Sequence, residues 1–71
     1  MTEGAVQILA NNIPIGSTVD VSIIAESRGA TTGRVYSWYV NEMMLGLEID
    51  FHGGTRYKFI DLNHVTKLDL I

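Results

Sequence analysis

The sequence predicts an all-β fold, a small, bent, antiparallel barrel of five short strands that a short helix can precede. Segments rich in β-branched and aromatic residues recur along the chain, and most of them alternate apolar with polar positions. Glycine and asparagine clusters separate these segments as turns. The chain has 71 residues, which is the size of one domain.

The N-terminal segment, residues 2–12, reads TEGAVQILANN and favours a short helix. Thr2 and Glu3 are typical of a helix start, and the Asn11–Asn12 pair before IPIG is typical of a helix end. Pro14 also disfavours the helical region for Ile13. A short strand is the alternative. We therefore divide the chain into an N-terminal helix or extension, residues 1–16, and a five-stranded barrel, residues 17–71.

The first predicted strand is STVDVSIIAES, residues 17–27, with Val19, Val21 and Ile23 on one face. The segment RGATTG, residues 28–33, follows as a loop because it contains two glycines. The second strand is RVYSWYV, residues 34–40. Strict alternation places its Tyr36 and Trp38 side chains on one face of the sheet and Tyr39 on the other.

The remaining strands follow from the same alternation. Asn41 and Glu42 form the tip of a hairpin, and the third strand begins after them with alternate apolar residues on one face: Met43, Leu45, Leu47, Ile49 and Phe51. A turn at residues 52–55 leads to the fourth strand, residues 56–65, whose alternation slips between Phe59 and Ile60 and predicts a bulge or strong bend there. The fifth strand is residues 66–71.

The composition favours self-association. Hydrophobic residues make up 46% of the chain and charged residues 18%, against about 25% charged in a typical domain. A domain of this size buries only about 60% of its unfolded surface. An apolar final strand also invites pairing with another chain. A homo-oligomeric ring, in which edge strands of neighbouring subunits pair, would satisfy both features.

Residues 17–71 resemble the Sm/LSm family, which includes bacterial Hfq. The resemblance is carried by VDVSI, by GRVYSW with Gly33 and Trp38, by LGLEI with Leu45 and Leu47, and by YKFIDLNHVTKLDLI. It implies an SH3-like, Sm-like barrel with an N-terminal helix. It also implies a ring that binds single-stranded RNA through loops around its pore.

The resemblance implies RNA contacts in two turns and at two cations. It implies base stacking or base-edge contacts for Tyr39, Asn41, Asn63 and His64. It implies phosphate contacts for Arg28 and Arg34. Each has a simpler interpretation: packing for Tyr39, turn formation for the asparagines and His64, and surface solubility for the arginines. Trp38 could also stack on RNA, but burial in the core or in an interface is the ordinary position for tryptophan.

Other classes of function have little support. The net charge of −3 opposes non-specific binding to nucleic acid, although it leaves a local base-reading site open. The absence of cysteine excludes cysteine-based zinc sites, and the spacing of His52 and His64 is not that of a metal site. No nucleophile motif or phosphate-binding glycine loop is present. We expect no enzyme activity, no cofactor, no membrane span and a cytoplasmic location.

Two alternatives remain beside RNA binding. The first is a structural or protein–protein interaction module that has the same barrel and no nucleic-acid role. The second is a small-molecule-binding SH3-like domain, which is disfavoured because side chains fill the interior of a barrel this small.

Overall fold

A computed structural model describes residues 1–24 and 30–71. It contains one helix and five strands, which are α1 (Glu3–Asn12), β1 (Thr18–Ile23), β2 (Thr31–Tyr39), β3 (Met44–Phe51), β4 (Gly54–Asp61) and β5 (Val65–Leu70). A single 3₁₀ turn, Leu62–His64, separates β4 from β5. The predicted N-terminal helix and the five predicted strands are therefore confirmed.

Helix α1 begins and ends where local chemistry requires. The Thr2 hydroxyl accepts a hydrogen bond from the Ala5 amide, 3.1 Å away, and so satisfies one of the free amides of the first turn. Glu3 places a carboxylate near the positive end of the helix dipole. Ile13 leaves the helical conformation just before Pro14, as the restriction on residues that precede proline demands.

The five strands form one antiparallel sheet in the order β4-β3-β2-β1-β5. The sheet bends but does not close, because β4 and β5 are its two edges and do not pair with each other. Gly33 lies on β2 where β3 approaches most closely. A Cβ atom at this position would lie 2.9 Å from the backbone oxygen of Glu48, so only glycine lets β2 approach β3 this closely.

The core lies between the inner face of the sheet and α1. Its buried side chains come from every element except β5: Val6, Ile13, Val19, Val21, Val35, Leu45, Leu47, Ile60 and Leu62. The Trp38 side chain packs against this cluster, and its indole N–H donates to the Ile13 carbonyl at 2.9 Å. Trp38 thus fixes the end of α1 to the sheet, which agrees with its expected position in the core.

The prediction for the aromatic residues of β2 is wrong. The β2–β3 pairing shifts register between Val35 and Ser37, which is a β-bulge that inserts one extra residue. As a result Val35 and Trp38 face the core, while Tyr36 and Tyr39 both lie on the outer face beside Gly46. The bulge thus exchanges Trp38 for Tyr39 on the face of the sheet that Tyr36 occupies.

The predicted slip in the fourth strand is also wrong. The β3–β4 register runs without interruption from Met44↔Asp61 to Phe51↔Gly54. Ile60 is buried and Phe59 is exposed, so strict alternation holds and Phe59 simply faces outward. The expected irregularity assumed that Phe59 belonged to the core.

Several boundaries differ from the predicted ones. Residues 31–33 were expected in a loop, but they open β2 because they pair with β1 at Val21, Asp20 and Val19. Gly54 and Thr55 belong to β4, so the turn before it is only His52–Gly53, where both residues have positive φ. The fourth strand ends at Asp61, before the predicted end at residue 65. The predicted end of the first strand, residues 25–27, lies outside the described residues.

Candidate functional site

Two turns that the sequence singles out meet at one end of the sheet. The first connects β2 to β3 at residues 40–43, and the second is the 3₁₀ turn Leu62–His64. The Leu62 amide donates to the Met43 carbonyl at 3.0 Å, and the Asp61 side chain caps the 3₁₀ turn by accepting from the Asn63 amide at 2.9 Å. Residues widely separated in sequence are therefore brought together at one end of the sheet, which we call the two-turn end.

Tyr39 and Asn41 approach this end from the first turn. Tyr39 is the last residue of β2, and its half-buried ring lies on the outer face with its centroid 5.9 Å from that of Phe59. Asn41 is exposed at the hairpin tip, as predicted. Asn41 presents an amide to solvent, whereas Tyr39 is partly covered by its neighbours.

Asn63 and His64 approach from the second turn, and both are exposed. The Asn63 side-chain oxygen accepts a hydrogen bond from the Met1 ammonium group at 3.3 Å. The His64 imidazole Nδ1 lies 4.0 Å from the Asp61 carboxylate. The His64 carbonyl accepts a hydrogen bond from the Ile24 amide at 2.9 Å. Arg28 lies outside the described residues.

Arg34 is not part of the two-turn end. It lies five residues before Tyr39 on β2, about 16 Å away along the strand. Its guanidinium donates to both carboxylate oxygens of Asp50, at 3.1 and 2.9 Å, and its Nε lies 3.7 Å from Glu48. Two carboxylates therefore surround this cation, which reduces its capacity to bind a phosphate.

The Arg34–Asp50 pair shifts the ionisation of both groups. The hydrogen bond from Arg34, followed by its Coulomb attraction, lowers the pKa of Asp50 below its ordinary value. The same two effects raise the pKa of Arg34. The aspartate shift matters for stability because Arg34 stays protonated over the whole range in which proteins are studied.

We expect Asp50→Asn to reduce the loss of stability in acid. A carboxyl whose pKa is lower in the folded state stabilises the fold above its unfolded pKa of about 3.9, and this contribution disappears as the pH falls through the lower folded pKa. Urea unfolding between about pH 6 and pH 2 should show a shallower decline for the variant than for the wild type. Arg34→Gln should give a similarly shallow profile, and an unchanged slope in both variants would contradict the linkage.

The outer face of the sheet holds a feature that sequence reasoning missed. Four aromatic side chains cluster there, and we call them the outer aromatic face: Tyr36, Tyr39, Tyr57 and Phe59. The Tyr36 and Tyr57 rings meet edge to face with centroids 4.9 Å apart. A Cβ at Gly46 would lie 3.3 Å from the rings of Tyr36, Tyr39 and Phe59, so these rings close over the glycine. The apolar residues of β4 are the one indication of this cluster in the sequence. Regular alternation in β2 places Tyr36 and Tyr39 on opposite faces, so it does not predict that they lie together.

A second aromatic contact lies at the β3–β4 turn. The Arg56 guanidinium stacks on the Phe51 ring at 3.8 Å from its centroid, and the His52 ring meets Phe51 edge to face at 4.3 Å. His52 is an exposed turn residue, as its interpretation from the sequence anticipated. This arrangement stabilises the hairpin by cation–π attraction.

Within residues 1–24 and 30–71, no group of three or more acidic or histidine side chains comes together in a way that suits a metal ion. Over the same residues, no helix combines the length and apolar character that crossing a membrane requires. No protein-family model, curated protein or solved structure matches the chain.

Proposed function

We propose that this protein is a ring-forming, Sm-like subunit that binds single-stranded RNA at the two-turn end. The observation that carries the proposal is the Leu62–Met43 backbone hydrogen bond, which places the Asn41 turn beside the Asn63 turn. Amide side chains read base edges through paired hydrogen bonds, and two of them are exposed here.

The unpaired edges of the sheet support assembly. In the part of the chain that the structure describes, strands β4 and β5 each have one side without a partner strand, so each offers a row of backbone groups to a neighbouring chain. Their side chains are apolar for edge strands, since Tyr57 and Phe59 on β4 and Leu70 on β5 are all more than half exposed. Pairing β4 of one copy with β5 of the next would satisfy both edges, and repetition of that contact with suitable rotation closes a ring.

The proposed RNA contacts are mainly to bases. Asn41 and Asn63 supply amides, and Tyr39 supplies the exposed part of a ring for stacking, which is worth about 1–3 kcal/mol per base. Arg34 is surrounded by Asp50 and Glu48, so it contributes little attraction for phosphate. We therefore expect modest affinity with a small salt dependence.

We expect Asn41→Ala to weaken binding of fluorescent oligo-U or oligo-A at least about fivefold, because a paired amide–base contact is worth about 1–3 kcal/mol. Fluorescence anisotropy at low salt measures the effect, and light scattering establishes in the same samples that the mass, a multiple of 7.9 kDa, is unchanged.

Asn11→Ala is the matched control. Asn11 is an exposed asparagine near the end of α1, and its side-chain oxygen accepts a hydrogen bond from the Gln7 side-chain amide at 3.0 Å. It should bind RNA like the wild type. Equal affinities for the wild type and Asn41→Ala would remove Asn41 from the site, and no binding by the wild type would end the RNA proposal.

A protein–protein interaction module is the second candidate. Two observations favour it. Arg34 donates hydrogen bonds to the Asp50 carboxylate, and the chain has a net charge of −3. This part of the surface is therefore unsuited to binding a polyanion. A salt titration separates the two candidates. RNA binding weakens as salt rises because counterions are released on association, whereas absence of retained RNA at low salt together with an assembled mass favours the module.

A further inference from the structure

We propose that the outer aromatic face binds an extended, arginine-containing segment of a partner protein. This ligand differs from RNA in the sign of its charge, and its binding does not require RNA. It gives the interaction module, the second candidate function, a defined class of partner. Two features of the molecule carry the proposal, which are the exposed aromatic rings and the sorting of charge between the two faces of the sheet.

The rings of the outer aromatic face are accessible to a ligand. Tyr36 is 43% exposed, Phe59 53% and Tyr57 55%. The face of an aromatic ring carries negative charge density, so it attracts the flat guanidinium group of an arginine. The chain already contains one such contact, because the Arg56 guanidinium stacks on the Phe51 ring at 3.8 Å. The outer aromatic face therefore suits a cation that has a flat surface.

The strands sort their charges between the two faces of the sheet. The strand registers place every carboxylate of the described strands on the outer face, together with the rings: Asp20, Glu48, Asp50, Asp61 and Asp69. Arg56 and Lys58 lie on the inner face, since they pair with Ile49 and Leu47. Alternation along β3 and β4 produces this separation of acidic from basic side chains.

Two cations also lie on the outer face, and each is close to a carboxylate. Arg34 lies 2.9 Å from Asp50, and the Lys67 ammonium lies 3.4 Å from Asp69. Five carboxylates and two cations leave three negative charges in excess on this face. The surroundings of the rings are therefore acidic.

This excess of negative charge decides between classes of partner. It repels nucleic acid, an anionic membrane surface and a second copy of a chain whose net charge is −3. A basic protein segment is attracted instead. Arginine suits the face better than lysine, because its planar group stacks on aromatic rings and donates to both oxygens of a carboxylate.

The β3–β4 register sets the spacing of the arginines. Glu48 lies opposite Tyr57, and Asp61 lies four residues further along β4, which is about 14 Å in an antiparallel strand. Phe59 lies between these two positions. An extended partner segment covers the same distance in four residues, so we expect arginines at positions i and i+4, which point to the same side of the segment.

Fluorescence anisotropy at low salt tests the proposal with a labelled peptide, Gly-Arg-Thr-Val-Thr-Arg-Gly, and with the same peptide carrying glutamate in place of both arginines. The wild type should bind the arginine peptide at least about tenfold more tightly. The double variant Tyr36→Leu, Tyr57→Leu keeps apolar bulk but removes two ring faces. Its affinity for the arginine peptide should fall about five- to thirtyfold. Circular dichroism establishes that the variant is folded.

Glu48→Gln tests the contribution of charge, because it removes one carboxylate beside the rings. Its affinity for the arginine peptide should fall about two- to fivefold. Two variants are matched controls. Phe51→Leu removes a ring with the same 43% exposure as Tyr36 from the other face of β3, and Glu3→Gln removes the same charge from α1. Both should bind the arginine peptide like the wild type.

Four results would overturn the proposal. They are equal affinity for the arginine and glutamate peptides, unchanged affinity in the folded tyrosine double variant, an equal loss in Phe51→Leu, and competition by spermidine as strong as that by unlabelled arginine peptide. The last result would mean that charge alone attracts the ligand.

Oligo-U separates this proposal from RNA binding. The tyrosine double variant should bind oligo-U like the wild type, because neither Tyr36 nor Tyr57 is a proposed RNA contact. A loss of oligo-U affinity in that variant, with no preference for the arginine peptide, would mean that the outer aromatic face binds nucleic acid instead. A wild type that binds the arginine peptide but not oligo-U supports this proposal and rejects RNA binding.

Discussion

Replacing Leu45 by alanine should remove most of the free energy of unfolding of the protein. Leu45 is fully buried at the centre of the core, between neighbours on β2 and β4. Truncating a buried leucine costs about 2–5 kcal/mol, because the transfer energy is lost and a cavity remains. A domain of this size rarely has more than about 3–5 kcal/mol of stability, so the loss consumes most of it.

Urea unfolding followed by tryptophan fluorescence measures this effect, since Trp38 packs against the same core. Ile8→Ala is the matched control. Ile8 lies on α1 with 62% of its surface exposed, so its truncation should change the free energy of unfolding by no more than about 0.5 kcal/mol. Similar effects for the two truncations would mean that Leu45 is not at the centre of the core.

Replacing Gly33 by alanine should lower the free energy of unfolding by about 1–3 kcal/mol, the usual cost of forcing extra volume into packed structure. The added Cβ would lie 2.9 Å from the Glu48 carbonyl oxygen and 3.3 Å from the Leu47 Cβ. The first of these neighbours is backbone, which cannot rotate away. Strand β2 must therefore separate from β3 at this position.

Gly54→Ala is the control for this substitution. A Cβ there would lie 3.6 Å from the Phe51 carbonyl oxygen, an ordinary van der Waals distance, at an exposed position. The control variant should unfold at a urea concentration close to that of the wild type. Equal midpoints for the two variants would show that β2 and β3 are not in such close contact at Gly33.

The predictions that depend on neighbouring residues in the sequence are confirmed for α1 and for the hairpin between β2 and β3. Thr2, Glu3 and the Pro14 restriction mark the ends of α1 through backbone chemistry within a few residues. The hairpin tip at Asn41 and the inward positions of Leu45 and Leu47 follow from turn preference and strict alternation. The RNA assignments of Tyr39, Asn41, Asn63 and His64 stay predictions.

The predictions that are wrong concern features that depend on partner strands. The sequence of β2 contains no mark of the bulge, because a bulge exists only relative to the strand that pairs with it. The hydrophobicity of Phe59 likewise predicts a slip in the alternation of β4, because a hydrophobic residue is expected to be buried. Its outward position became visible only when the uninterrupted β3–β4 register placed it beside Gly46 and Tyr39.

The sequence by itself determined the mainly β composition, the number of strands, the helix before them and the inward positions of Val19, Val21, Leu45 and Leu47. These features follow from short-range periodicity and capping, which each segment carries within itself. Only the tertiary structure decided which aromatics share the outer face, that Arg34 is bound by Asp50, and that the Asn41 and Asn63 turns meet. Those features are contacts between segments distant in the chain, and register and bending set them.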